Sequence, residues 1–476
     1  MFSRILRHEW RLLTADGSLW LLIAIFAVAI AYGTFNGVRW VRFQEAALAE
    51  ASREEQERFA AHDATIMRLN AGELKLSPFA DPRNPQTAGS RLGARYAVMP
   101  PAPMAALSIG QSDLLPSYFK VTSDSKENVT AGTELENPHR LLTGRFDLAF
   151  VLIYLYPLLV LAFSYNLLSA EKEQGTLSLA LAQPVSLATL AIGKLTIRFM
   201  LFLGSLAPLA GLAVAVAGID LSADGFLYLA LLWLGAVVVY GLVWFGLAVL
   251  VASFGRPSST NAMVLAALWL GFVVLLPSLL NMGATTWYPV PSRVEMVQAV
   301  REASDGANQQ GAALLARYYE DHPELAVGGA DQAMNDFNLI RVAVDGDVEA
   351  RVRPVLDRYE AQLAGQRRMV ARLRVLSPAI LMQDALNDLS GTGVGRHQHF
   401  LQQVGQFHER WRNHFVPLIF RKAQVQSYGT LPAFSFVDEP AAAVASRVAA
   451  SIALMLVPAV VLLTFGIKRL QRFPVV

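Results

Sequence analysis

The sequence predicts an all-α membrane protein with six transmembrane helices and two large, mainly helical periplasmic insertions. Three observations carry that expectation. Of 476 residues, 54% are hydrophobic and only 16% charged, against about 25% charged in an ordinary soluble chain. Uncharged runs long enough to cross a hydrocarbon layer of about 30 Å as helices recur along the chain, that from Leu148 to Ala170 being the plainest. Two long charged stretches separate them, and the second carries apolar residues at three- and four-residue spacing in RVEMVQAVREA, GAALLARYYEDH and ARVRPVLDRYEAQLAGQRRMVARLRVL.

Taken in order, residues 1–16 read as an amphipathic helix at the cytoplasmic interface, with Phe2, Ile5, Leu6, Trp10 and Leu13 set against Arg4, Arg7, His8 and Arg11. The first apolar run, 17–38, is too long for a signal peptide and lacks a clear cleavage site, so it is the first span. The first external region, 39–146, begins as an alanine-rich continuation of that helix. Pro78, Pro82, Pro85, Pro100, Pro101, Pro103 and Pro116 then predict irregular chain with short strands. Asn128-Val129-Thr130 has the pattern of a glycosylation acceptor and is read as chance. Further spans are expected at 147–170, 195–219, 225–251, 259–282 and 441–467, with a cytoplasmic loop at 171–194, a second external region at 283–440 and a tail at 468–476. Orientation follows from the short loops. Arg4, Arg7, Arg11, Lys172, Lys194, Arg256, Lys468, Arg469 and Arg472 fall on one side, and the short loop on the other carries Asp220 and Asp224, so both termini are expected in the cytoplasm of a bacterium with the chain in its inner membrane.

The loop at 171–194 has readable local chemistry. Gly175 can take the positive φ that ends the incoming helix, Thr176 is an N-cap candidate for a short helix through Leu177, Leu179 and Leu181, and Gln183 before Pro184 disfavours its continuation. Glu171 and Glu173 lie where the dipole of the incoming helix prefers cations, so they are expected to serve a contact elsewhere. With E-x-G-T-L, Q-P-V-S and the Gly193-Lys194 pair before the next span, this loop resembles the first cytoplasmic loop of ABC type-2 permeases, and more narrowly of the group labelled as permeases for multi-copper-enzyme maturation. LSPAILMQDALNDLSGTGVGRHQHF, from Leu376 to Phe400, is similar to a segment of the second external region in that group. The resemblance implies an exporter-type permease subunit with no enzyme activity of its own, paired with a second permease copy or a homologous permease and with two ATPase subunits. ATP and Mg would be bound by the ATPase. It also implies that Glu171, Glu173, Gly175, Thr176, Leu177, Gln183 and Pro184 form the coupling segment. The alternative is a force-transmitting or scaffolding complex that acts on periplasmic partners without transport.

Other chemistry is thin. The closest approach to a phosphate-binding loop ends at Gly193-Lys194, but Ala188 stands at the first glycine and Leu195 at the Ser/Thr. GTGVG at 391–395 follows no strand and reads as a flexible connector. HERWR from His408 has Arg412 where a zinc protease needs its second histidine. His397, His399, His408 and His414 cluster in sequence, yet on one helix His397 and His408 would lie about 16 Å apart, so solvated or interface histidines are favoured over a metal site. There is no cysteine, and a net charge of +2 without a basic face argues against nucleic acid. The spans are read as free of charge away from their ends, which weakens ion-coupled transport. Tyr154, Tyr156, Tyr165 and Asn166 give the second span a polar side that either lines a translocation path or bonds neighbouring helices.

Overall fold

The computed structural model describes residues 2–124, 145–218, 225–290, 292–321 and 337–473. Six of its helices are long and apolar enough to cross a membrane, and the only sheet among the described residues has two strands. The chain is thus an all-α protein of multi-pass membrane character. The turn with Asp220 and Asp224, and the Asn128 acceptor, lie outside the described residues.

Asp16 separates the first two helices, α1 (Phe2–Ala15) and α2 (Gly17–Asn70), and its carboxylate caps the second by accepting from the Ser18 N–H at 2.9 Å. α2 runs unbroken for 54 residues, about 80 Å at 1.5 Å per residue. Its apolar first half passes into alanine-rich chain braced by Arg53 with Glu50 and Glu57, and nothing in the sequence stops it before Gly72. Phe26 and Ile30 sit in the core of the apolar helices, whereas Phe59 and Ile66 sit in the core of a separate polar lobe. One rod therefore belongs to both.

The proline-rich stretch carries the expected short strands, β1 (Arg95–Val98) and β2 (Tyr118–Val121), antiparallel with Arg95 opposite Val121. They lie on the last long helix of the lobe. The second apolar helix, α3 (148–164), holds a π turn at Val151–Leu155 ahead of Pro157. Proline has no N–H to offer the Ile153 carbonyl, which instead accepts from the Tyr240 hydroxyl at 2.8 Å. After α4 (Ser169–Glu173) and α5 (Thr176–Leu181) come α6 (Leu187–Ala217), α7 (Phe226–Ala252) and the helix 258–287, α8, with its own π turn at Leu270–Leu275 before Pro277. α7 is the central helix. It is buried along most of its length against α3 and against α14 (Ala441–Arg469), with Gly241 leaving room for the Tyr156 ring.

The region beyond α8 is helical: α9 (Arg293–Gln309) and α10 (Gly311–Asp321) pack on α11 (Phe337–Leu373), followed by α12 (Pro378–Leu389) and α13 (Val394–Phe420). Within 283–440, expected as one external region, α12 packs on α7 and α14, with Leu381, Met382, Ala385 and Leu386 in the same core as the apolar helices. Its 12 residues are too few to cross a bilayer, so hydropathy cannot distinguish it from a buried or re-entrant helix. The GTGVG stretch is a packed turn rather than a flexible connector: Gly391 has φ 63, a Cβ there would press on Ala102, and the Thr392 carbonyl accepts from Gln111 N–H at 3.2 Å.

The polar lobe is built from both charged stretches. Phe59, Ile66, Ala97, Phe119 and Val121 from the first share one core with Phe400, Phe407, Trp411, Phe415 and Tyr428 from the second. Buried donors are matched across it. Trp411 Nε1 donates to Gly89 O at 2.8 Å and Tyr428 Oη to Pro82 O at 3.0 Å, as buried N–H and O–H groups require.

Candidate functional site

The loop between α3 and α6 folds as a compact hairpin on the ends of the apolar helices. Gly175 takes φ +70, and nothing lies within 4 Å of the place a Cβ would occupy, so the need for glycine there is conformational rather than steric. Gly175 itself precedes the first residue of α5, and Thr176, expected as the cap, lies inside that helix with Oγ1 on the Glu171 carbonyl at 3.3 Å. The difference arises because the left-handed glycine already makes the entry turn. Leu177 is 1% exposed and packs in a cluster with Leu167, Leu168, Ala191, Val249, Ala252, Leu470 and Phe473. Leu179 is 70% exposed. With Gln183 and Pro184, also exposed, it makes an outer face that the described residues leave uncovered.

Four charged groups hold the base of this hairpin. Arg198, 6% exposed and inside α6, donates from Nε and Nη2 to Glu9 at 3.0 and 2.9 Å and from Nη1 to Asn166 Oδ1 at 3.1 Å and to the Phe163 carbonyl. One turn earlier, Lys194 pairs with Glu171 and reaches the Leu167 carbonyl at 3.2 Å, with Glu9 at 3.9 Å. α1, the end of α3, the hairpin and α6 are therefore joined through one buried ionic cluster. A buried charge is tolerated only when paired and hydrogen-bonded, and this arrangement meets that condition.

The acidic pair is expected from its sequence position to contact a partner, and within the chain both carboxylates are also engaged. Glu171 neutralises Lys194. Glu173 accepts from the Ser258 N–H at 2.6 Å and from its hydroxyl at 3.0 Å. α8 starts at Ser258 with Pro257 ahead of it and no side-chain cap of its own, so Glu173 supplies the anion that a helix N-terminus favours. Lys172 completes the base, its Nζ 3.4 Å from Gly255 O and 5.6 Å from the Phe473 ring centre.

Sequence reasoning missed Glu9 and Arg198. The signal was present: a lone arginine in an otherwise apolar helix, and a lone glutamate in the basic helix α1. Arg198 lies in the first turn of the expected span 195–219, at its end, and Glu9 of α1 folds onto it there. Of the four polar residues of the second span, Asn166 joins the cluster by hydrogen bond. Tyr156 is fully buried, stacked on Phe202 with ring centres 4.5 Å apart and its hydroxyl donating to Val237 O at 3.1 Å. The carbonyls of Tyr154 and Tyr165 accept from Trp269 Nε1 at 3.2 Å and Asn261 Nδ2 at 3.4 Å. In this conformation the four residues bond helices together.

The four clustered histidines all lie on α13 and are engaged separately. His408 Nε2 is 2.7 Å from Asp124 O, His399 Nε2 is 3.0 Å from Val437 O, and His414 packs on Phe415. His397 is buried between Phe119 and Phe400, and burial lowers its pKa to about 4. Among the described residues no three His, Cys, Asp or Glu side chains are grouped to hold a metal ion.

No curated protein and no solved structure matches the chain. Residues 293–437 match a family model described as Domain of unknown function (DUF3526), which covers α9 to α13 and leaves the hairpin and the apolar helices outside the match.

Proposed function

We propose that this chain is the membrane-spanning permease subunit of an ATP-binding-cassette exporter, with ATP hydrolysed by a separate subunit that docks on the 171–186 hairpin. The observation that carries this reading is the asymmetry of α5. Leu177 anchors one side among the span ends, ion pairs fix the base, and the other side presents Leu179 with Thr176, Ser178 and Gln183 to solvent. A short helix held that way passes a push on its outer face to α3 and α6 without first deforming. Tyr156, Tyr240 and the Glu9–Arg198 pair then carry it to α7 and α1.

A second reading, force transmission without transport, is favoured by α2. Its continuous rod from Phe26 to Ile66 links the apolar core to the polar lobe. Vesicles holding the chain with its ATPase subunit separate the two: ATP-dependent flux of a solute supports export, and lobe movement with no flux supports force transmission. The docking itself is tested by Leu179→Asp. That variant should insert and melt as the parent does while losing co-purification with the ATPase. Unchanged association would remove the basis for both readings.

A further inference from the structure

The second half of α11 leans on α8 in a graded way. Gln366 Nε2 donates to Tyr288 O at 2.7 Å, Gly365 lies against the Tyr288 ring, the Met369 methyl lies 3.3 Å from where a Cβ of Gly283 would sit, and Ser377 Oγ donates to Phe272 O at 2.8 Å. As the chain advances from 365 to 377, its partners step back along α8 from 288 to 272. The two helices are antiparallel, and that stretch of α8 covers about 24 Å. Since α8 is one of the apolar helices able to span, residues 365–377 run beside its apolar length from its end at Tyr288 to near its middle at Phe272.

The exposed face of this descending segment changes with depth. Arg367 and Arg368 come first, Arg372 one turn lower, and Val375 and Leu376 lowest, at 46% and 51% exposed. Beside the top of the strip, Trp287 is 72% exposed at the end of α8, the level at which interfacial tryptophans sit. Arg374, on the inward side, is taken by Asp384 at 2.9 Å. The three exposed guanidiniums have no ion-pair partner among the described residues. Cations at the rim above an apolar pair repeat the order of a lipid leaflet, headgroup over acyl chain, and long arginines beside hydrocarbon turn their heads toward anionic groups at the interface.

We propose that the Arg367–Arg368–Arg372 strip is a binding site for an acidic phospholipid in the leaflet remote from the 171–186 hairpin, the phosphate held by the guanidiniums and an acyl chain lying along Val375 and Leu376. The occupant is a lipid rather than a soluble phosphate because the apolar end of the strip is continuous with the phosphate end and lies at acyl depth. The site does not depend on how the hairpin is used.

The chain has no cysteine, so V375C carries a single fluorophore in the full-length protein. In phosphatidylcholine vesicles containing a minor fraction of phosphatidylglycerol, bromine on the phosphatidylglycerol chains should quench it as though that lipid were enriched about tenfold over its bulk fraction. R367Q/R368Q/R372Q should reduce the enrichment to about one while leaving quenching by brominated phosphatidylcholine intact, which shows the strip still in lipid. The matching triple lysine variant should keep most of the enrichment. Equal quenching by both lipids with the native arginines, an enrichment that survives the glutamine variant, or no quenching by either lipid would each overturn the proposal. Release of the quenching by soluble glycerol phosphate would overturn the lipid as occupant.

Discussion

The hairpin base and the polar-lobe core both join segments far apart in sequence, by opposite means. At the base, Glu9, Glu171, Lys194 and Arg198 meet in a small volume with an apolar cluster beneath them. In the lobe, Phe119, Phe400, Phe407, Trp411 and Phe415 interlock, and within that core Trp411 Nε1 and Tyr428 Oη donate to backbone carbonyls. Ion pairs in a dry environment contribute little net stability but penalise wrong geometries heavily. Aromatic packing contributes stability and tolerates small shifts. The base is therefore suited to holding one shape under load, and the lobe to staying folded.

Four substitutions sharpen that contrast, from the largest effect to the smallest. Trp411→Ala empties the middle of the lobe core and orphans the Gly89 carbonyl. A loss of about 3–5 kcal/mol is expected, read as a lowered unfolding midpoint of the lobe in detergent, with labelling of a cysteine placed at position 179 unchanged. Altered labelling at 179 would show that the two regions unfold as one.

Arg198→Ala leaves buried Glu9 with only Lys194, 3.9 Å away, as counter-ion, at an expected cost of about 3–5 kcal/mol that comes from a poorly compensated charge rather than from lost packing. The test is Glu9→Leu with Arg198→Met, which removes both charges and should recover most of the lost stability while the hairpin becomes easier to label or cleave. A double variant as unstable as Arg198→Ala would mean that the cluster stabilises the fold rather than restricting its shape. Gly175→Val forces a β-branched residue to φ +70, costing about 1–3 kcal/mol. The hairpin should be displaced, with faster proteolysis near residue 175 and an unaltered lobe.

The smallest effect is on acid stability. Burial lowers the pKa of His62, His397 and His414 in the lobe, His397 to about 4. These histidines bind protons less readily folded than unfolded, so their contribution is present above the unfolded pKa of about 6.5 and is lost as pH falls toward the folded value. His397→Leu should make lobe stability less sensitive to pH between about 7 and 5. An unchanged difference between those two pH values would place the acid sensitivity in other groups.

Much of this was legible in order along the chain. Runs of apolar residues, the alanine-rich continuation of the first helix and the proline-rich stretch each have a local cause, and so does Gly175, where chain reversal between two helices calls for a residue without a Cβ. The partners of Glu171 and Glu173 were not legible. Helix-dipole reasoning showed that their charge served nothing in their own helix, but not that Glu173 would cap α8, 85 residues away in sequence. α12 was hidden for a different reason: its length and composition suit a soluble helix, and only contact with α7 and α14 places it among the spans.

By itself the sequence determined the helical class, the six apolar runs and the hairpin's turn, because hydrophobic length, periodicity and backbone preference act over a few neighbouring residues. Tertiary structure alone decided which charges meet, which carbonyls freed by proline find donors, and which aromatic residues of the two charged stretches form their common core. Those outcomes depend on pairings between residues far apart in the chain, and burial is what makes an unpaired charge or carbonyl costly enough to select one arrangement.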